Sequence, residues 1–236
     1  MEIMNFKVFE QRLESIDFDS KKIINTLNAH SYIVSKKDSY FRRALKDSDI
    51  LIPDGSGIVL AARYLCKKSI KKVSGSDLHK FLLKITNNNH GKVFYLGSSQ
   101  SNLEKIEIKT KHEFPNIKLE SYSPPFKNEF SEEENNLIID KINCFGPDIL
   151  FIGMTAPKQE KWLYQNKDRL NFRVAASVGA VFNFYSGAIK RPNKFLRKLI
   201  GESLSRFIKE PRRLWKRSFI SIPLFLIEIM KFKLKK

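Results

Sequence analysis

Six short apolar runs, each closing on small or polar residues, constrain this chain more than any other feature. They are "KIINTLN" (22–28), "DILIP" (49–53), "KVFYLGSS" (92–99), "IKLESYSPPF" (117–126), "PDILFIGM" (147–154) and "RVAASVGAVFNFYSG" (173–187). Between them lie longer stretches with helical spacing. "AHSYIVSKKDSYFRRALKDS" (29–48) carries apolar side chains at Tyr32, Ile33, Tyr40, Phe41 and Leu45 and reads as one helix. "SGIVLAARYLCKK", "SDLHKFLLKITNNN", "QSNLEKIEIKTKHEF", "SEEENNLIIDKINCFG" and "PKQEKWLYQNKDRL" read likewise. Serine with three glutamates at 131–134 suits a helix amino end, where N–H groups lack partners and the dipole favours negative charge. Strands alternating with helices of this length predict an α/β fold, a parallel sheet with helices on both faces. Ligands of such sheets bind at the carboxyl ends of the strands. Four of those ends carry small or polar groups: Thr26 and Asn28; Asp54; Gly97-Ser98-Ser99; and the loop "GMTAPKQE". They predict one polar rim.

Composition narrows the rest. The 236 residues, 42% of them hydrophobic, can bury one large α/β core with an appendage. Two cysteines, Cys66 and Cys144, and four scattered histidines have no metal-like or redox-like spacing, so neither a disulfide framework nor a zinc site is expected. "MEIMNFKVFEQRLESIDF" is charged and amphipathic, unlike a signal peptide, which points to the cytoplasm. The net charge of +18 is concentrated: residues 187–236 hold fifteen Lys or Arg against three Glu, twelve of the eighteen excess charges. A boundary is therefore placed at 187, with a core of residues 1–187 and a basic appendage of 188–236. The first half of the appendage has helical spacing at Phe195, Leu199, Leu204, Phe207 and Ile208. Its last apolar part, "FISIPLFLIEIM", is twelve residues interrupted by Pro223 and Glu228, too short for a bilayer span of about 20. Flanking bases suit docking on an anionic membrane surface.

Single motifs are weak here. No G-x-G-x-x-G and no P-loop lysine motif occurs, which argues against standard dinucleotide or nucleoside-triphosphate sites and against a Rossmann-type methyltransferase. "DGSG" alone reads as a turn with Asp54 as cap, "PKQEKW" as a helix start with a core tryptophan, and "VSGSDL" as a loop and N-cap. In order, however, "TLNAHSYI", "LIPDGSGIVLAARYL", "VSGSDL", "FYLGSS", "PDILFIGMTAPKQEKW", "VGAVFNFYSGAIKR" and "EPRRLWKR" resemble the WecG/TagA/CpsF glycosyltransferases from about Lys22 to Arg217. The resemblance implies a Rossmann-like core with a membrane-meeting appendage. It implies transfer of N-acetylmannosamine, or its uronic acid, from a UDP-sugar donor to an undecaprenyl-diphosphate-linked acceptor in teichoic acid, common antigen or capsule synthesis.

The resemblance makes Asp54 the general base. A UDP leaving group departs as a stabilised anion, so one carboxylate and some cations can serve where glycoside hydrolases need two carboxyl groups. It also implies substrate-binding roles for Thr26, Asn28, Gly55, Ser76, Asp77 and Gln159. Lys72 stands where the family usually has arginine, keeping the charge without the bidentate fork. Asn183 stands where many relatives have aspartate, and Thr155-Ala156 replaces a commoner Gly-Ser-Pro. Arg206, Arg213 and Lys216 match cations thought to reach the diphosphate, with Arg212 and Arg217 as neighbours at the diphosphate or the membrane. Nothing resembles the Asp-x-Asp site of metal-dependent sugar-nucleotide transferases, so neither a metal nor a cofactor is expected. The region before Lys22 fits least well, since relatives often add a strand and helix there. The enzyme is expected at the inner face of the cell membrane, and a homo-oligomer is compatible with its basic apolar tail. Charge alone supports a nucleic-acid-binding alternative. No stacking or groove-helix motif accompanies it, so no nucleic-acid partner is expected. An inactive membrane scaffold with a transferase core is the other alternative.

Overall fold

The computed structural model describes residues 1–189 and 216–234. Its centre is a six-stranded parallel sheet of β3 (Lys22–Leu27), β4 (Ile50–Pro53), β5 (Lys92–Leu96), β6 (Lys118–Tyr122), β7 (Ile149–Ile152) and β8 (Val174–Ser177), in the order β4-β3-β8-β7-β5-β6. The α/β expectation is met, and each of the six runs contains one of the strands. Register pairs Thr26 with Ile52, Ile24 with Ala176, Ile152 with Ser177 and Leu96 with Ile152. The four carboxyl ends β4, β3, β8 and β7 therefore lie side by side.

Alternation of side chains divides the core between two faces. On one, Ile24, Ile52, Tyr95, Phe151 and Ala176 pack against α4 (Gly75–Asn88), α5 (Gln100–Glu113) and α8 (Val181–Tyr185). On the other, Ile23, Phe94, Leu150 and Ala175 meet α6 (Glu132–Phe145) and α7 (Lys158–Asn166). Leu27 and Leu51 on that face meet α1 (Ala29–Lys37), α2 (Ser39–Lys46) and α3 (Ser56–Cys66).

Three segments differ from the sequence expectation. The single helix expected over 29–48 is two, because Asp38 is extended (φ −115°, ψ 100°) and its side chain accepts from Phe41 N, ending α1 and capping α2. The run after β8 is helical at 181–185, since Phe182 turns back to lie against Gly153, where an added Cβ would sit 2.4 Å from its ring. The residues before Lys22 form a hairpin, β1 (Glu2–Ile3) and β2 (Phe6–Lys7), turning through Met4 and Asn5 at positive φ. Phe9 N then donates to Leu51 O at 2.9 Å, which occupies part of the otherwise open β4 edge.

At the other end a π-helical turn (Lys216–Ser221) leads into α9 (Ile222–Leu234). Pro223 lies just past the junction of the π-helical turn with α9. Glu228 pairs with Lys36. Phe225 and Ile229 enter the core beside α1 and α3, with the Phe225 ring 5.3 Å from that of Tyr32 and 3.3 Å from a Cβ added at Gly57. Among the described residues no helix is long and apolar enough to cross a membrane. The spacing read over Phe195–Ile208 lies outside the described residues.

Truncating Phe225 to Ala removes a fully buried ring, at a cost of about 3–5 kcal/mol. The expected outcome is loss of α9 from the core, read as accelerated tryptic cleavage at Lys231 while the unfolding of the sheet stays cooperative.

Candidate active site

The rim is built by backbone bonds that carry each strand end onto its neighbour. Asp54 N donates to Leu27 O (2.9 Å), Val73 N to Pro53 O (3.1 Å), Val178 N to Ile152 O (3.0 Å) and Gly153 N to Leu96 O (2.8 Å). These contacts place Asp54 beside Asn28 and Lys72 beside Asp54. Gly55 has φ 102° and ψ 154°, a conformation open essentially to glycine alone, and a Cβ there would be 3.9 Å from that of Asn28. The N-cap of α3 is Gly55 and carries no side-chain cap bond, so Asp54 stands one residue ahead of the cap position, half-buried.

Asn28 has a structural task that limits its chemistry. Its Oδ1 accepts from His30 N and Ser31 N, both at 3.0 Å, and Ser31 Oγ reciprocates at Asn28 N, which caps α1. Thr26, half-buried, points to the opposite face of the sheet from Leu27. The "VSGSD" segment is also a capping box: Ser74 caps α4 and Asp77 Oδ2 accepts from Ser74 N (2.9 Å) and Oγ (2.6 Å). Asp77 is thereby engaged at a helix start, and Ser76 lies half-buried in the same turn. At β5 the Asn102 amide donates to Ser98 Oγ (2.6 Å) and to Asn183 Oδ1 (3.0 Å), tying Asn183 to the Gly97-Ser98-Ser99 turn.

Gln159, in the first turn of α7, is buried beside Gly179, whose added Cβ would lie 3.6 Å from both Nε2 and Oε1 of the amide. Its Nε2 donates to Glu160 Oε1 at 2.8 Å. Burial pushes the Glu160 carboxyl up to about 7, against the lowering effect of the Gln159 and backbone hydrogen bonds. Among the described residues, Gln159 Oε1, Glu160 Oε2, Asn25 Oδ1 and Ser177 Oγ are buried without a hydrogen-bond partner in the protein. Each such oxygen costs about 1–3 kcal/mol. Strand alternation sets Asn25 and Ser177 on the α7 face of adjacent strands.

The structure thus gathers Asp54, Gly55, Asn28 and Lys72 at the β4 and β3 ends and Gln159 at the β7 end. With strands about 4.8 Å apart, this rim is about 14 Å long, and Asn183 extends it to β5. Arg206, Arg212 and Arg213 lie outside the described residues, and Lys216 and Arg217 open the turn before α9. Two pairs have literal Asp-x-Asp spacing, Asp17–Asp19 and Asp47–Asp49, which corrects the expectation that no such spacing occurs. Both precede the amino ends of their strands. Asp17 closes a turn on Asp19 N, Asp49 accepts from Ile23 N, and Asp47 pairs with Lys167. The sequence reading also passed over Glu160 and Asn25. Their signal was a polar residue at a core position, beside Leu163 on one helix face and inside the apolar run of β3.

A family model described as "Glycosyl transferase WecG/TagA/CpsF family" matches residues 3–236. The chain belongs to the WecG/TagA/CpsF glycosyltransferase family. Two similar proteins bear the name N-acetylglucosaminyldiphosphoundecaprenol N-acetyl-beta-D-mannosaminyltransferase. That of Bacillus subtilis (strain 168) is 28% identical over 229 residues, 96% of this chain and 87% of its own length. That of Staphylococcus aureus (strain MW2) is 29% identical over 191 residues, 81% and 72% of the two chains. The WecG/TagA/CpsF match takes in the hairpin and α9 as well as the sheet.

The raised Glu160 carboxyl makes a testable contribution to stability. A proton held in the folded protein but lost from the unfolded chain stabilises fully below the ordinary value of 4.5 and is lost as pH rises through about 7. The loss is on the order of 3 kcal/mol across that window. His79, held neutral by burial with its imidazole lowered to about 3, acts in the opposite sense and contributes most above its ordinary value. Comparison with Glu160→Gln isolates the carboxyl. In urea melts the variant is expected to match the native protein near pH 4.5 and to exceed its stability at pH 8.

Proposed function

We propose that this glycosyltransferase moves N-acetylmannosamine from UDP to undecaprenyl-diphosphate-linked N-acetylglucosamine, inverting the anomeric centre. The observation that carries the reading is the match along nearly the whole chain to relatives named for N-acetylmannosaminyl transfer to that lipid-linked acceptor, on a chain that sets one half-buried carboxylate, Asp54, at a strand end among polar groups. The relatives' names specify a β-linked product, which a single displacement gives from an α-linked UDP sugar.

In this mechanism the acceptor hydroxyl attacks the anomeric carbon while its proton passes to Asp54, and the bond to UDP breaks on the opposite side. The diphosphate leaves as an anion that Lys72 neutralises, joined by Arg206, Arg212, Arg213, Lys216 and Arg217 of the basic segment. Carboxylates are weak bases at neutral pH, so much of the acceleration comes from aligning the acceptor, with proton transfer late. Thr26, Asn28, Gly55, Ser76, Asp77, Gln159 and Asn183 line or shape the donor site. A carboxylate on the uronic acid donor would need a further cation, and the rim of Asp54, Asn28 and Gln159 favours the neutral sugar.

The reading also has residues 188–236 act as a unit that brings the enzyme to the membrane. Support comes from the outer side of α9, where Leu224, Ile227, Met230 and Leu234 are exposed among Lys231 and Lys233, next to exposed Leu60 and Tyr64 of α3. Apolar side chains ringed by lysines suit the headgroup region of anionic lipid. The double change Ile227→Asp, Met230→Asp is expected to abolish sedimentation with phosphatidylglycerol vesicles at low salt. Retention on vesicles would refute that role for α9.

UDP release from a panel of UDP-sugars, with lipid-diphosphate-N-acetylglucosamine as acceptor, tests the reaction. One donor is expected to give acceptor-dependent turnover and the β-linked product, and Asp54→Asn is expected to lower kcat by about 10²–10⁴. Turnover surviving that change would remove Asp54 from the role of base. A product of retained configuration would overturn the single displacement.

A further inference from the structure

We propose that Glu160 is a positioning residue, whose carboxyl fixes the Gln159 side-chain amide so that the site offers the sugar donor a hydrogen-bond acceptor, Gln159 Oε1. This inference rests on the proposed donor site and adds a residue to which the resemblance assigns no role.

Three observations carry it. First, Gln159 and Glu160 are adjacent in the first turn of α7 and both are almost wholly buried, at 4% and 3% exposure. Their side chains are joined by one hydrogen bond, Nε2 to Oε1 at 2.8 Å, which commits an amide hydrogen inward. An amide has only two orientations in such a slot, and here its nitrogen lies against Glu160 Oε1. Second, the oxygen that this orientation leaves over, Gln159 Oε1, has no partner among the described residues, although it is buried. Native proteins rarely leave a buried acceptor so, and those that do tend to have a ligand or solvent group to meet it. Third, Gly179 at the end of β8 keeps the space beside the amide clear: it has φ +54°, and a side chain there would begin 3.6 Å from both amide heteroatoms.

A helix needing only to be packed against a sheet would carry an apolar residue at position 160, as it does at Leu163. Among the described residues the side chain that meets the carboxyl is the Gln159 amide at the rim. Because Oε1 accepts, it favours a donor sugar that presents an O–H or an acetamido N–H at that point. A site built to accept such a hydrogen rejects analogues lacking it strongly.

The test uses the full chain with Glu160→Met, which keeps length and burial, Glu160→Gln, which keeps a carbonyl in place, Gln159→Ala, and the Glu160→Met/Gln159→Ala pair. In ¹⁵N-labelled protein the Gln159 side-chain NH₂, identified by its loss in Gln159→Ala, is expected to show one proton shifted downfield and protected from solvent exchange. Glu160→Gln should keep that shift and protection and Glu160→Met should abolish both. The Met change is expected to raise the donor KM about tenfold, the loss of one oriented hydrogen bond, with a smaller fall in kcat. It should add nothing on the Gln159→Ala background, and Glu160→Gln should restore KM to within a few-fold of the native value. Unchanged NH₂ signals in Glu160→Met, or an effect on KM that multiplies with Gln159→Ala, would overturn the proposal. Absence of turnover with every UDP-sugar in the native protein would instead refute the transferase reading, and the NH₂ signals would still decide the role of Glu160.

Discussion

A parallel strand cannot satisfy its own backbone, and its partners arrive only after a helical crossover. Here that requirement is met most severely at β3, which pairs with β4 on one side and with β8 on the other, some 150 residues later in the chain. The pairing of Lys22 with Val174 and of Ile24 with Ala176 brings the first and last strands of the sheet together. Everything at the rim follows from it. Asn28 and Asp54 come from the early strands, Gly179 and Gln159 from the late ones, and within the sheet the β3–β8 seam joins the two sets. Non-local pairing of this kind is slow to form, because the loop entropy is spent before the contacts reward it.

The rim shows how one residue can serve fold and chemistry together. Asn28 spends its side-chain oxygen on the start of α1, and Asp77 spends a carboxylate oxygen on the start of α4. Such caps make the positions rigid, which a transferase needs where alignment supplies much of the rate. The polar layer beneath α7 is different in kind. Asn25, Ser177 and Glu160 keep polar atoms in a core where apolar side chains would pack at lower cost, so stability alone does not account for them.

Much of the architecture was legible in the sequence because buried parallel strands leave apolar runs; the exception is the edge strand β6, which reads Lys-Leu-Glu-Ser-Tyr and has no buried residue. The polar residues closing those runs marked the rim for the same reason: carboxyl ends face solvent or ligand. Less legible were features decided by a single dihedral or a distant contact. Asp38 divides a helix-like pattern that has uninterrupted spacing on both sides. Phe182 makes a helix where the sequence reads as a strand running into a loop, by lying across Gly153, a partner that no local window contains. Pro223 and Glu228 read as interruptions, yet the first sits where the π-helical turn passes into α9 and the second finds Lys36 of α1. Glu160 was hidden because a glutamate near a helix start looks like an ordinary dipole partner until its burial is known.

The docking of α9 has a consequence in time as well as space. His30 meets Ser221 at 2.8 Å, Lys36 meets Glu228, and Phe225 wedges between Tyr32 and the first turn of α3. The contacts of His30 and of Phe225 reach the same two helix starts that present Asn28 and Gly55. Ser221 and Phe225, which make them, follow every strand of the sheet in chain order, so a growing chain can assemble its sheet before it can brace those helix starts. The rim is then finished only as synthesis of this stretch ends.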